Sequence, residues 1–184
     1  MKKKIFITLF LFSIIVSASA QWIQSFDKIG MYKVTISGFA NDEQALYASR
    51  LITECNNVLI ARINQDGEGN IFTEGEISFN EILEKLSVIP NIEIGERYTV
   101  KPSFDDYLET YNSYRRFPVD ISRTLPPPAI INDNQKQSRA YSVLKSIWME
   151  KYPENYQKIQ PASAEDLSPE KIQKELELSN QKNN

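Results

Sequence analysis

The sequence contains no histidine and only one cysteine among its 184 residues. The missing histidine excludes a histidine general base, a Ser-His-Asp triad and any histidine-ligated metal site. A single cysteine excludes an intrachain disulfide and a Cys-x-x-Cys motif. The six glycines form neither a phosphate-binding loop nor a Gly-x-Ser-x-Gly turn. We therefore predict that the chain is not an enzyme and that it carries no metal and no cofactor.

Long apolar runs are also scarce, and the one that stands out lies at the start of the chain. Lys2, Lys3 and Lys4 precede an apolar run over residues 5–16, and Ala18-Ser19-Ala20 follows it. A basic start, a short apolar stretch and a small-x-small site are typical of a secretory signal peptide. We predict cleavage before Gln21 and an exported, periplasmic or extracellular bacterial protein; an uncleaved N-terminal anchor is the alternative.

Charge of one sign dominates the remaining chain. The first twenty residues hold three lysines and no acid, so the chain after Ala20 has 18 basic against 24 acidic residues and a net charge of −6. This sign disfavours nucleic acid and anionic membranes as partners. No later run approaches the roughly 18 apolar residues of a membrane span, so we expect no membrane insertion after cleavage. A protein of the cell envelope is the predicted partner.

Residues 30–100 show the signals of a compact domain. Alternation over 31–37 predicts a strand, and Asn41 or Asp42 is placed to cap a helix that buries Ala48, Leu51, Ile52 and Cys55 on one face. Residues 58–64 and 71–77 read as two further strands, joined by a turn at Asp66-Gly67.

The second half of this domain repeats the pattern. Ser78 and Glu81 form a predicted capping box, Pro90 ends the helix, and residues 92–98 supply a fourth strand. The order β-α-β-β-α-β predicts an α+β fold, specifically a ferredoxin-like sandwich with a four-stranded antiparallel sheet and both helices on one face.

The stretch from about Tyr32 to Ile94 resembles a heavy-metal-associated domain, the fold of copper chaperones. Members of that family carry a Gly-Met-x-Cys-x-x-Cys loop after the first strand. Here Gly38 keeps the glycine, Phe39 replaces the methionine, and Asn41 and Gln44 stand at the two cysteine positions. Amide oxygens cannot replace thiolates as ligands of a soft metal, so the resemblance implies a relative that has lost its metal site.

Residues 101–160 form a predicted helical extension. Phe104, Tyr107, Leu108 and Tyr111 define one helix face, which we expect to pack on the open face of the sheet; a partner surface is the alternative. The Pro-rich segment 125–128 is predicted to be a stiff joint that holds the following part away from the domain.

A second amphipathic helix is predicted from Asn134 to Lys151. Because residues 30–100 look complete by themselves, we expect this helix to bind a partner. Its candidate partner-binding residues are Tyr141, Leu144, Ile147 and Trp148. The polar tail 161–184 is expected to be disordered.

These features predict a non-catalytic exported protein-interaction or structural module of the bacterial cell envelope. The alternative is a metal or small-ligand binding protein that uses the loop from Gly38 to Gln44. Cys55 is expected to be buried and inert, with intermolecular pairing as the alternative.

Overall fold

A computed structural model describes residues 26–159; the predicted signal peptide and the polar tail 161–184 lie outside the described residues. The strands are β1 (Gly30–Ser37), β2 (Val58–Ile63), β3 (Glu68–Thr73) and β4 (Glu93–Val100). The helices are α1 (Asp42–Glu54), α2 (Phe79–Leu86), α3 (Phe104–Ser113), α4 (Asn134–Lys151) and α5 (Pro153–Ile159).

The four strands form one antiparallel sheet in the order β2-β3-β1-β4, which confirms the predicted α+β class. One boundary was wrong: β3 runs from Glu68 to Thr73, not over residues 71–77. Glu68 already pairs with Thr35 of β1, and the chain leaves the sheet before Gly75, whose φ of 152° is unfavourable for other residues.

Local capping starts the helices where the sequence predicts. Asn41 caps α1 by accepting a hydrogen bond from the Gln44 backbone N–H at 2.9 Å. Ser78 caps α2 in the same way, but the predicted capping box is only half formed. The Glu81 carboxylate bonds the backbone and side chain of Asn56 instead, and so ties α2 to the carboxyl end of α1.

Helices α1 and α2 cover one face of the sheet and form the first core. Its buried members are Val34, Ile36, Ala48, Ile52, Cys55, Val58, Ala61, Ile63, Ile71, Ile82, Leu86 and Ile89. The two helices lie on the same face because their apolar stripes enter this one cluster, as the period of each helix predicts.

Helices α3 and α4 cover part of the opposite face and form the second core. Met31, Ile60 and Phe72 contribute the sheet side, and Tyr107 and Trp148 are the largest side chains that the helices contribute. The Tyr107 hydroxyl donates to the Ala140 carbonyl at 2.9 Å, which joins α3 to α4 within this core. The expectation that α3 packs on the open sheet face is confirmed.

The expectation of a free arm beyond α3 was wrong. Leu144, Ile147 and Trp148 are buried in the second core, and Tyr141 is partly buried against it. The physical reason is that Met31, Phe72, Leu59 and Ile60 present an apolar surface on this face, which the extension removes from water. These four residues therefore do not form an exposed partner surface in the structure.

The Pro-rich segment does not act as a spacer either. Pro126 is buried, and the Ala129 N–H donates to the Tyr111 hydroxyl at 2.8 Å. Farther along, the Lys136 ammonium donates to the carbonyls of Thr53 and Cys55, both at 2.8 Å, at the carboxyl end of α1. Burial lowers the pKa of this lysine. Lys136 thereby fastens the extension to α1, and the Ala129 bond holds the Pro-rich segment against α3.

No helix within residues 26–159 combines the length and the apolarity needed to cross a bilayer.

Candidate functional site

The most distinctive open surface is the part of the sheet that α3 and α4 leave uncovered. Side chains on this face follow cross-strand rows, because antiparallel neighbours point the same way. The row Ile60, Phe72, Met31 and Val100 lies under the helices. The next two rows lie beyond the carboxyl end of α3 and consist of polar side chains.

The first polar row crosses all four strands. Arg62 pairs with Asn70, Asn70 with Lys33, and Lys33 with Tyr98. Lys33 is exposed, and Tyr98 is 54% exposed on the edge strand. Two cations, an amide and a phenol therefore stand side by side on one face of the sheet.

The second polar row contains a threonine with one carboxylate on each side of it. Thr35 pairs with Glu68, and on its other side both Gly95 and Glu96 oppose it, which makes a β-bulge in β4. The Thr35 hydroxyl accepts a hydrogen bond from the Glu96 backbone N–H at 2.8 Å, which satisfies a donor inside the bulge. A Cβ at position 95 would lie 2.6 Å from this hydroxyl, so the bulge requires glycine there.

The last turn of α3 forms a wall above these rows. The Arg62 guanidinium donates to the Ser113 carbonyl at 2.8 Å and to the Asp42 carboxylate at 2.7 Å. Asn70 donates to the Thr110 hydroxyl at 3.1 Å. The two polar rows and this wall enclose a cleft of about 580 Å³, which we call the sheet cleft. Its size falls within the range of small-molecule and peptide pockets.

One charged side chain of the sheet cleft is ion-paired within the described part of the protein, and three are not. Arg62 is neutralised by Asp42 and held by the end of α3. Within the described residues 26–159, Lys33, Glu68 and Glu96 form no ion pair. The sheet cleft can therefore offer one free cation and two free carboxylates to a ligand.

The two edges of the sheet differ sharply. The outer N–H groups of Ala61 and Ile63 in β2 donate to the hydroxyls of Thr53 and Ser49 at 3.0 and 2.8 Å, so α1 seals that edge. Strand β4 ends the sheet on the other side, and its residues are exposed or half-buried. The sheet cleft opens beside this second edge.

The loop from Gly38 to Gln44 is built as a helix start. Gly38 has a φ of 100° and approaches the Asn91 carbonyl so closely that no Cβ fits. Phe39 packs against the first core. Asn41 caps α1, and the Gln44 side chain accepts a hydrogen bond from the Ala40 N–H at 2.6 Å. The side-chain amide oxygens of Asn41 and Gln44 are thus both engaged in hydrogen bonds at the start of α1.

Cys55 lies at the other end of α1, where it forms the C-cap. Its side chain is buried in the first core, and burial raises the pKa of the thiol to about 11. A buried thiol with a raised pKa is a poor nucleophile and a poor partner for disulfide exchange. The expectation of a buried cysteine is confirmed.

A second open surface lies along α1. Tyr47 is 49% exposed and Phe117 is 75% exposed, and a groove of about 510 Å³ lies between α1 and the loop that holds Phe117. Arg116 reaches across this groove to Glu43 at 2.9 Å. The groove is a rival to the sheet cleft as a binding surface.

Sequence reasoning missed the residues of the sheet cleft. Lys33 and Thr35 occupy polar positions of the alternating first strand, but nothing in the chain marks which side chains of other strands stand next to them. The strand order places Glu68 and Tyr98 beside them, and the bulge in β4 places Glu96. The alternating polar positions of β1 were the available signal.

Comparison with family models, with curated proteins and with solved structures gives no match to this chain.

Proposed function

We propose that this chain is a non-catalytic, exported protein-interaction module of the bacterial cell envelope, and that the sheet cleft is its binding surface. The observation that supports the proposal is the half-covered sheet face. An extra helical layer buries the apolar row of this face and leaves two polar rows open beside the outer edge of β4, which pairs with no other strand among residues 26–159. Tyrosine is enriched at protein–protein interfaces, and the rim around an interface core is polar and solvent-accessible.

The predicted export fits this role. Cleavage after Ala20 places the mature chain outside the cytoplasm, where a fold without an intrachain disulfide depends on its packed cores. The second core supplies such packing, since it joins the extension to the sheet through Tyr107 and Trp148.

Site-specific photo-crosslinking in the native host tests the proposal. Tyr98 and, as a matched control, Tyr47 are replaced one at a time by a photoreactive phenylalanine; both tyrosines are about half exposed, on different surfaces. We expect position 98 to crosslink to one defined protein in the exported fraction. The intact mass of the uncrosslinked chain should correspond to a sequence that begins at Gln21. Equal crosslinking from both positions, or crosslinking from position 47 alone, would contradict the sheet cleft as the binding surface.

We also propose that the domain is a ferredoxin-like sandwich related to heavy-metal-associated domains. The supporting features are the strand order β2-β3-β1-β4, the antiparallel pairing throughout, and the placement of α1 and α2 on one face. The loop alternative, a metal or small ligand bound between Gly38 and Gln44, has less support, because both amides cap α1.

Restoring the cysteines tests this relationship. The variant with Asn41→Cys and Gln44→Cys places two thiols on the first turn of α1, where helix N–H groups stabilise thiolates. We expect it to bind a single equivalent of monovalent copper, measured by competition with a chromophoric chelator. The control with Asn41→Ser and Gln44→Ser, like the wild type, is expected to bind none. Equal copper binding by the wild type and the cysteine variant would refute the loop alignment.

A further inference from the structure

We propose that the sheet cleft binds an extended segment of the partner protein that carries a cationic and an anionic side chain two residues apart. This inference rests on the proposed function and names the chemistry of the segment that the cleft recognises. It is carried by the spacing of the free charges on the sheet.

The proposed binding site for the cationic side chain of the segment, the cation site, lies above Thr35. Glu68 lies on the strand to one side and Glu96 on the strand to the other. Neighbouring strands are about 4.8 Å apart, so the two carboxylates start from backbones about 10 Å apart. An ammonium or guanidinium group above Thr35 is within reach of both carboxylates. A group at this position completes a charge arrangement that no side chain among residues 26–159 satisfies.

The proposed binding site for the anionic side chain of the segment, the anion site, lies at Lys33. This lysine is two residues before Thr35 on the same strand, and its neighbours across the sheet are Asn70 and Tyr98. The ammonium of Lys33 and the hydroxyl of Tyr98 are both donors that suit a carboxylate.

The distance between the cation site and the anion site matches the spacing of side chains on one side of an extended chain. Two residues along β1 span about 6.7 Å, which is also the repeat between side chains on one side of any extended segment. A segment that runs along β1 above the cleft can therefore place one charge over Thr35 and the opposite charge over Lys33. Spacings of one or three residues put the second side chain on the wrong side of the segment.

Strand addition to the edge of β4 is a weaker reading of the same region. The bulge at Gly95 and Glu96 interrupts the edge, and Arg97 and Glu93 place charges along it. Bulges and charges are the devices by which proteins protect an edge strand from pairing. The face of the sheet, not its edge, is the surface that offers unpaired and complementary groups.

Two blocked pentapeptides of identical composition test the inference against the isotopically labelled mature chain. The probe is acetyl-Gly-Lys-Gly-Asp-Gly-amide, and the control is acetyl-Gly-Lys-Asp-Gly-Gly-amide, in which the charges are adjacent. We expect the probe to shift the amide resonances of Lys33, Thr35 and Glu96, and to bind at least about 5-fold more tightly than the control. Equal binding of both peptides, or shifts elsewhere on the protein, would overturn the inference.

Charge-reversal variants test the positions of the cation site and the anion site. Glu96→Lys and Lys33→Glu are each expected to weaken binding of the probe about 5-fold or more. Glu84→Lys on α2 and Lys145→Glu on α4 are matched controls at exposed positions outside the cleft, and we expect them to leave binding unchanged. Equal weakening by the control reversals would show only a general charge effect and would refute the assignment.

Free lysine serves as a third probe, because it offers an ammonium and a carboxylate, together with a second ammonium, without a peptide chain. Binding of free lysine as tight as that of the probe would assign the cleft to a small zwitterion and overturn the segment proposal. A crosslink from position 98 without binding of either peptide would leave the proposed function standing and refute this inference. Peptide binding without any crosslink would refute the protein-partner function instead.

Discussion

Cutting the chain after Ile121 is expected to abolish cooperative folding of the remaining domain. The cut removes the segment 125–131, α4 and α5, and it exposes Phe72 and Met31 on the sheet side of the second core and Tyr107 on α3. Burial of a large apolar side chain contributes about 1.5–3 kcal/mol, so the loss of Val143, Leu144, Ile147 and Trp148 amounts to roughly 6–12 kcal/mol. That is comparable with the whole stability of a typical domain, about 5–15 kcal/mol.

A thermal melt followed by far-ultraviolet circular dichroism measures this effect. The matched control ends the chain at Ile159 and keeps every contact described between residues 26 and 159. We expect the control to melt within a few degrees of the mature chain and the shorter chain to show no cooperative transition. A shorter chain that melts within a few degrees of the control would show that residues 30–100 are complete and that the extension is an independent arm.

The element order could be predicted because each element carries its own local signal. Asn41, Ser78 and Ser103 each cap a helix, and the helix from Asn134 to Lys151 is bounded as the sequence predicts. Propensity, periodicity and capping agree at these positions, and such agreement is what makes a boundary readable. The short helix α5 after Pro153 was missed, since seven residues provide too little periodic pattern.

Strand β2 carries a sequence signal for the docking of the extension. Strand β2 reads Val-Leu-Ile-Ala-Arg-Ile, and its residues are buried toward both cores. A continuous apolar strand, in contrast to an alternating one, indicates that both faces of the sheet are covered. The bulge at Leu59 adds to this, because Leu59 and Ile60 both enter the second core.

The sheet cleft could not be predicted from the sequence. Lys33, Glu68 and Glu96 are far apart along the chain and become neighbours only through the strand order. A shift of one residue in any strand moves its side chains to the other face of the sheet. The bulge at Gly95 produces such a shift within β4. A glycine within a strand suggests a bulge, but it does not give the register that follows.

Trp148→Ala is expected to destabilise the mature chain by about 3–5 kcal/mol, the usual cost of removing a large buried aromatic side chain. Trp148 is fully buried between the sheet and the segment that follows α3, and its indole N–H donates to the Ile121 carbonyl at 2.7 Å. We expect the cavity to close only partly, because Tyr107 and Tyr111 of the same core are held by hydrogen bonds to Ala140 and Ala129. Urea unfolding followed by circular dichroism measures the loss.

Two further variants separate the causes. Trp148→Phe keeps most of the apolar volume and leaves the Ile121 carbonyl without its donor, so we expect a smaller loss, about 1–2 kcal/mol. Phe117→Ala removes an aromatic ring that is 75% exposed, and we expect a change below about 0.5 kcal/mol. Trp148→Phe should also leave the crosslink from position 98 intact, because Trp148 stabilises the layer beside the cleft without lining it. If a folded Trp148→Phe protein loses the crosslink, Trp148 would have to be part of the partner-binding surface. If Trp148→Ala loses no more stability than Phe117→Ala, the burial of Trp148 in the second core would be refuted.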